Sequence, residues 1–155
     1  MSAAQYLSQG REFIDSAICG YLPKESAFPV SIHKSMLYSI MAGGKRLRPV
    51  LVIAAAEAVG GNRQEILPFA VATEYIHTYT LIHDDLPALD NDDLRRGKPT
   101  NHKVFGEAIA ILAGDALLTQ AFYLMTHSEL MSEVPPRKLL QAAHEMTVAI
   151  GSSGM

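Results

Sequence analysis

An all-α helical bundle is the fold class this sequence predicts, and three observations predict it. Apolar residues recur at helical spacing in one segment after another. No run alternates apolar and polar residues with the period of two that a half-buried strand shows. Gly and Pro fall between the periodic segments, where helices stop. The length, 155 residues, suits one domain. A chain of that size buries roughly 70% of its unfolded surface, enough for a core.

The elements follow in order. Residues 3 to 20 place Ala3, Leu7, Phe13, Ile14, Ala17 and Ile18 at mostly helical spacing, and Gly20 and Pro23 end the segment. Residues 31 to 42 repeat the pattern with Ile32, Met36, Leu37, Ile40 and Met41, before Gly43 and Gly44 break the chain. Pro49 suits the first turn of a helix that runs to Val59 and stops at Gly60 and Gly61. Asn62 and Glu65 form a capping pair for the next helix. In residues 66 to 86 the length and the alanines favour a buried helix over a strand, despite the threonines and tyrosines. Pro87 ends it, and residues 87 to 104 form a polar loop. A long apolar helix spans 106 to 127, and a last one opens at Pro135 and Pro136 and reaches Ile150. Several of these helices are apolar around most of their circumference, as in the middle of a bundle. In so short a chain this implies a partner subunit or more chain to cover them.

Several function classes are excluded. The net charge of −3 and pI of about 6.0 leave no basic surface for nucleic acid. The single cysteine, Cys19, cannot form an internal disulfide and fits a reducing cytoplasm. The N-terminus lacks the basic start and apolar run of a secretory signal. The most apolar segment, residues 108 to 118, falls short of the about 20 residues a membrane span needs. A soluble, cytoplasmic protein without a membrane span is the expectation.

Charge concentrates in LIHDDLPALDNDDLRRGKPTNH, residues 81 to 102. Asp84 and Asp85 end an apolar helix, and Asp90 follows across a short turn. Carboxylates gathered there repel one another and are costly to desolvate without a cation. Mg²⁺ suits them: it takes hard oxygens, keeps several waters, and sits between one or two carboxylates and a substrate phosphate. Zn²⁺ lacks its Cys or paired His ligands here, and the spacing excludes an EF-hand. Arg95 and Arg96 lie just beyond, and guanidinium groups grip phosphate oxygens bidentately. In GGKRLRP, residues 43 to 49, Lys45 and Arg48 are three apart, so helical geometry puts them on one face at a helix start. His77 lies two turns before Asp84 on roughly the same face. Tyr79 and Thr80 lie one turn before it and face the apolar interior. Two cationic anion sites and one acidic metal site thus surround an apolar pocket. A ligand with a diphosphate head and a hydrocarbon tail fits that combination. Asp92 and Asp93 read as loop acids that partner Arg95, and Asp115 as a buried helix acid in a structural hydrogen bond.

The segments GGKRLRP, EYIHTYTLIHDDLPALDNDDLRRGKPTNH and FGEAIAILAGDALL strongly resemble the trans-prenyl diphosphate synthases, the farnesyl and geranylgeranyl diphosphate synthases. The resemblance runs from about residue 40 onward. It implies an isoprenoid-synthase-type helical bundle and a Mg²⁺-dependent prenyltransferase. Such an enzyme condenses isopentenyl diphosphate with an allylic diphosphate, dimethylallyl or geranyl. By the same resemblance, Asp84 and Asp90 are the catalytic metal-binding acids, with Asp85 in the same metal motif. Arg95 holds the allylic diphosphate in the catalytic site. Lys45, Arg48, His77 and Arg96 match the isopentenyl diphosphate site, and Tyr79 and Thr80 match the chain-length determinants. An aromatic at Tyr79 favours a C15 product, farnesyl diphosphate, over the C20 geranylgeranyl product. The family also implies a homodimer. Its second Asp-rich motif is missing here, so residues 1 to 155 read as the N-terminal part of one synthase domain, weakly active or inactive alone. A non-catalytic truncated homologue that binds diphosphates or a partner subunit is the alternative.

Overall fold

A computed structural model describes residues 2–154. α1 (Ala3–Ala17) starts on a capping box: Ser2 Oγ accepts from the Gln5 N–H, and the Gln5 side chain accepts from the Ser2 N–H. Its last turn tightens into a 3-10 segment, Ile18–Tyr21. α2 (Val30–Ile40) and α3 (Leu47–Ala58) follow, with Gly43 and Gly44 at positive φ between them. α4 (Arg63–Asp84) begins three residues earlier than the apolar pattern indicates. Asn62 caps it through the Gln64 N–H rather than in a pair with Glu65.

α4 is the axis of the molecule. Every residue from Leu67 to Ile76 is buried, so the helix is covered on all sides. α3 and α6 (Glu107–Thr126) supply most of that cover. α2 packs on α6, α1 on α3, and α7 (Pro136–Ile150) on α6. The core joins Ile14 and Ile18 from the N-terminus to Ile40, Val50, Ile53, Tyr75, Leu117, Leu124 and Met125. α6 has the 20 residues and the apolarity of a membrane-crossing helix, nearly twice the apolar stretch that stands out in the sequence. Its inner face (Ala110, Ala113, Gly114, Leu117, Ala121) is packed as a core helix, while Ile111, Leu112 and Tyr123 stay exposed. Leu47, Leu51 and Val59 of the α3 region and Leu140 and Val148 of α7 are exposed as well.

The segment 87 to 104 is more ordered than a polar loop. Leu94–Arg95 (β1) pairs antiparallel with Lys98–Pro99 (β2), and a five-residue helix, α5 (Asn101–Phe105), follows. Two residues, Arg96 and Gly97, connect the strands, both at positive φ. That is the backbone a two-residue hairpin turn needs to match strand twist. Strands of two residues cannot show alternation, which is why the sequence pattern misses them.

Arg46 ties these elements together. It is 3% exposed and sits in the left-handed region (φ 49°) just before α3. Its Nε donates to Asp15 Oδ1 of α1 (2.8 Å), Nη1 to Glu74 Oε1 of α4 (2.9 Å), and Nη2 to the Ile40 carbonyl that ends α2 (2.8 Å). Arg46→Met should therefore destabilise the fold by about 3–5 kcal/mol, since it strands the buried Glu74 carboxylate. Urea denaturation of the two proteins, compared at equal m-value, measures this loss.

Candidate active site

Two neighbouring cavities border the middle of α4. The larger, about 790 Å³, is mostly apolar. Ile76, Tyr79 and Thr80 of α4, Leu51 and Val52 of α3, and Met146 and Ile150 of α7 line it, and Asp84 stands on its wall. The second, about 570 Å³, gathers Lys45, Arg48, His77 and Arg96, with Arg11 at one side. Arg48 and His77 line both. A hydrocarbon-sized space and a cationic space thus share a wall.

Backbone geometry sets the cationic cavity. α3 starts at Leu47, so Lys45 precedes the helix, and the expected shared helix face with Arg48 does not exist. The left-handed Arg46 interrupts the helix, yet both cations still line one cavity. Arg96 reaches it from the hairpin turn. Its guanidinium lies across Gly44, where a Cβ would come within 2.7 Å of it. A Cβ there would push the tip of the arginine aside, and at φ +152° it would also strain the backbone. Glu74 also borders this space, but its carboxylate is committed to Arg46. His77 is half-buried among these charges. Burial first, and then the neighbouring Arg48, Arg96, Arg95 and Arg46, push its pKa down to about 4. The imidazole is therefore neutral near pH 7.

The acidic side is arranged differently. Asp84 and Asp90 are exposed, and the Asp90 N–H donates to the Asp84 carbonyl (2.8 Å). The turn between them folds Asp90 back onto the end of α4, helped by Asn91 at positive φ. Asp85 goes elsewhere. It is 3% exposed, and Arg95 Nε donates to both its oxygens, at 2.8 and 2.9 Å. Asp92 Oδ2 stands 3.6 Å from the Arg95 guanidinium, and Asp93 pairs with Lys103 at 2.7 Å. Among the described residues no three acidic, His or Cys side chains converge as a ready metal cage.

Three features escape the sequence pattern. Arg46 sits inside GGKRLRP, and nothing in that string separates it from its cationic neighbours. His83 lies beside Asp84, lines the apolar cavity, and meets the Ile111 carbonyl at 3.1 Å through Nε2. Gly114 makes that approach possible, because a Cβ there would collide with the imidazole. Asp115 is not buried. Its side chain is 61% exposed and lies 3.8 Å from His83 Nε2, because α6 turns that face outward.

The central helix of this bundle ends in paired carboxylates beside a cationic cavity and an apolar one, and sequence and structure comparisons place the bundle in a known family. Residues 29–153 match the polyprenyl synthetase family model, and the chain belongs to that family. It is 51% identical over 150 residues to farnesyl diphosphate synthase of Bacillus subtilis, covering 97% of this chain and 50% of that protein. It is equally identical, over 150 residues, to the heterodimeric geranylgeranyl pyrophosphate synthase large subunit 1 of Arabidopsis thaliana, covering 97% of this chain and 40% of that one. The apo crystal structure of an FPP/GFPP synthase from Zymomonas mobilis superposes with a TM-score of 0.90 at 39% identity, over 98% of this chain and 54% of that one. The chain spans about half the length of these relatives.

The charges around His77 have a measurable consequence. An NMR titration should give a pKa of about 4 against the ordinary 6.5, and Arg48→Gln should raise it. Between those values the unfolded chain binds the proton that the folded chain refuses. The contribution of His77 to stability should thus be undiminished above pH 6.5 and fall as pH drops from 6.5 towards 4.

Proposed function

We propose that this chain carries the substrate-binding half of a Mg²⁺-dependent short-chain trans-prenyltransferase. It would condense isopentenyl diphosphate with an allylic diphosphate, dimethylallyl or geranyl, with farnesyl diphosphate as the favoured product. One observation carries the reading: Arg48 and His77 line both the cationic cavity and the apolar one. A ligand with a diphosphate head and a hydrocarbon tail needs that junction.

In the reaction, the allylic C–O bond breaks and diphosphate departs with the electron pair. The isopentenyl double bond attacks the allylic carbon, and a proton is then lost. Lys45, Arg48 and Arg96 hold the isopentenyl diphosphate, and neutral His77 can donate a hydrogen bond to it without adding charge. Arg95, held by Asp85, would meet the departing diphosphate with the N–H groups that Asp85 leaves over. Asp84 and Asp90 fit Mg²⁺: they are exposed, held together by the backbone, and leave positions for water and phosphate oxygens. Mg²⁺ held by Asp84 and Asp90 would supply positive charge towards the leaving group. The apolar walls exclude water that would trap the cation. Asp85, committed to Arg95, acts as its holder rather than as a third metal ligand. The remaining charge for catalysis would come from elsewhere, so turnover by these 155 residues is expected to be weak. The exposed apolar residues of α3, α6 and α7 suit subunit pairing, a homodimer, and the lone cysteine suits the cytoplasm.

Calorimetry should detect dimethylallyl diphosphate binding that requires Mg²⁺ and disappears with EDTA. Asp84→Asn and Asp90→Asn should each abolish the Mg²⁺ requirement together with binding. Asp85→Asn should weaken the diphosphate roughly tenfold, the scale of one charge-assisted contact, while Mn²⁺ binding to the acids stays intact. Equal loss of Mn²⁺ in all three variants would return Asp85 to the metal. Binding indifferent to Mg²⁺, or turnover matching a farnesyl diphosphate synthase, would overturn the half-site reading.

Tyr79 sets the second test. Its ring borders the apolar cavity and packs edge-on against His83, with centroids 5.3 Å apart. Tyr79→Ala should open the floor and shift the preferred allylic ligand from geranyl to farnesyl diphosphate. An unchanged preference in competition binding would remove Tyr79 as the length determinant.

A further inference from the structure

The N-terminal helix also contributes to the cationic cavity. Arg11 of α1 lines it opposite Lys45, Arg48, His77 and Arg96. Its side chain is 59% exposed, and its one ionic contact is Nε to Asp15 Oδ2 at 3.4 Å, an i,i+4 pair. That distance lies outside the usual hydrogen-bond range, and exposed pairs of this kind hold weakly. Asp15 has a stronger partner already, since its other oxygen accepts from Arg46 at 2.8 Å. Among the described residues neither terminal amino group of the Arg11 guanidinium has an ionic partner, and Glu74, a carboxylate that borders the cavity, is itself occupied. α1 is held still there, because Asp15, one turn further on, anchors it through Arg46.

We propose that Arg11 is a further diphosphate-binding residue, which swings from Asp15 to grip the terminal phosphate of the isopentenyl diphosphate. The inference rests on the reading of this cavity as the isopentenyl diphosphate site and adds the N-terminal helix to it. Arg11 is a gate-side cation: it closes the open face of the cavity after Lys45, Arg48 and Arg96 have taken the diphosphate.

The test is calorimetric titration of isopentenyl diphosphate into the 155-residue protein with EDTA present, which silences the metal-dependent site. Arg11→Gln should weaken binding roughly five- to tenfold, as expected for one charge-assisted contact, and flatten its salt dependence. Tm should stay unchanged, and Arg11→Lys should recover part of the affinity. If Arg48→Gln weakens binding while Arg11→Gln binds as wild type, Arg11 plays no part and the cavity assignment stands. A loss in Arg11→Gln that comes with a lower Tm, or that Arg11→Lys does not relieve, overturns the proposal in favour of a structural role. No binding by wild type, or binding indifferent to Arg48→Gln, overturns the cavity assignment and Arg11 with it.

Discussion

Three helices and a helix end meet at one buried guanidinium. Arg46 cannot leave Asp15, Glu74 and the Ile40 carbonyl without exposing a charge to a dry interior. It holds a left-handed backbone that an arginine adopts only at a cost of order 1–3 kcal/mol. Three charge-assisted hydrogen bonds offset that cost. The consequence reaches the site directly. With the Arg46 guanidinium bound inward, Lys45 before it and Arg48 two residues after it line the cavity. The same interaction therefore packs the N-terminal half of the molecule and ties up the Arg46 guanidinium, which also borders the cavity, while Lys45 and Arg48 line it beside. It also neutralises Glu74, the one acid that would otherwise oppose an anion there.

A second backbone device divides adjacent residues between two tasks. Arg95 ends β1 and turns towards the buried Asp85. Arg96 occupies the left-handed first position of the hairpin turn and lies over Gly44. A strand would also alternate neighbouring side chains, but a two-residue strand has no length to hold that alternation. The turn supplies the rigidity instead, and Thr100 fastens it by donating to the Asp92 carbonyl at 2.8 Å. The two arginines of one dipeptide thus part: Arg95 holds the buried Asp85 and Arg96 lines the cationic cavity.

The helices were readable because each buries a face at a 3.6-residue period, and Gly or Pro marks nearly every end. The short hairpin was not, since two-residue strands carry no period. The site divides in the same way. Asp84, Asp90, Lys45, Arg48, His77 and Arg96 stand out by residue type and spacing, and they border the cavities or the exposed acidic turn. Roles that depend on direction were hidden. Asp85 and Asp84 are neighbours in sequence, but one rotation about the helix sends Asp85 into the protein and Asp84 to its surface. Asp115 looked buried because its helix is apolar, whereas the face that carries it is open. Arg46 is indistinguishable in type from Arg48, and only the φ angle separates their fates. Gly114 gave no signal either, because its need for a missing Cβ comes from His83, thirty-one residues earlier in the chain.

The junction of the two cavities explains why a histidine, and not another cation, occupies position 77. Lys45, Arg48 and Arg96 already supply charge for an anion, and a fourth fixed charge half-buried among them would raise the cost of the ligand-free state. Burial and the surrounding guanidinium groups hold the imidazole neutral. It adds a hydrogen-bonding group at the cavity wall without adding repulsion. A neutral ring can also border the apolar side, where a guanidinium would have to be desolvated. In the proposed reaction the carbon chain begins where the diphosphate ends, so the residue at that boundary must suit both. His77 meets both demands because its charge is suppressed, first by burial and then by Arg48, Arg96, Arg95 and Arg46 around it.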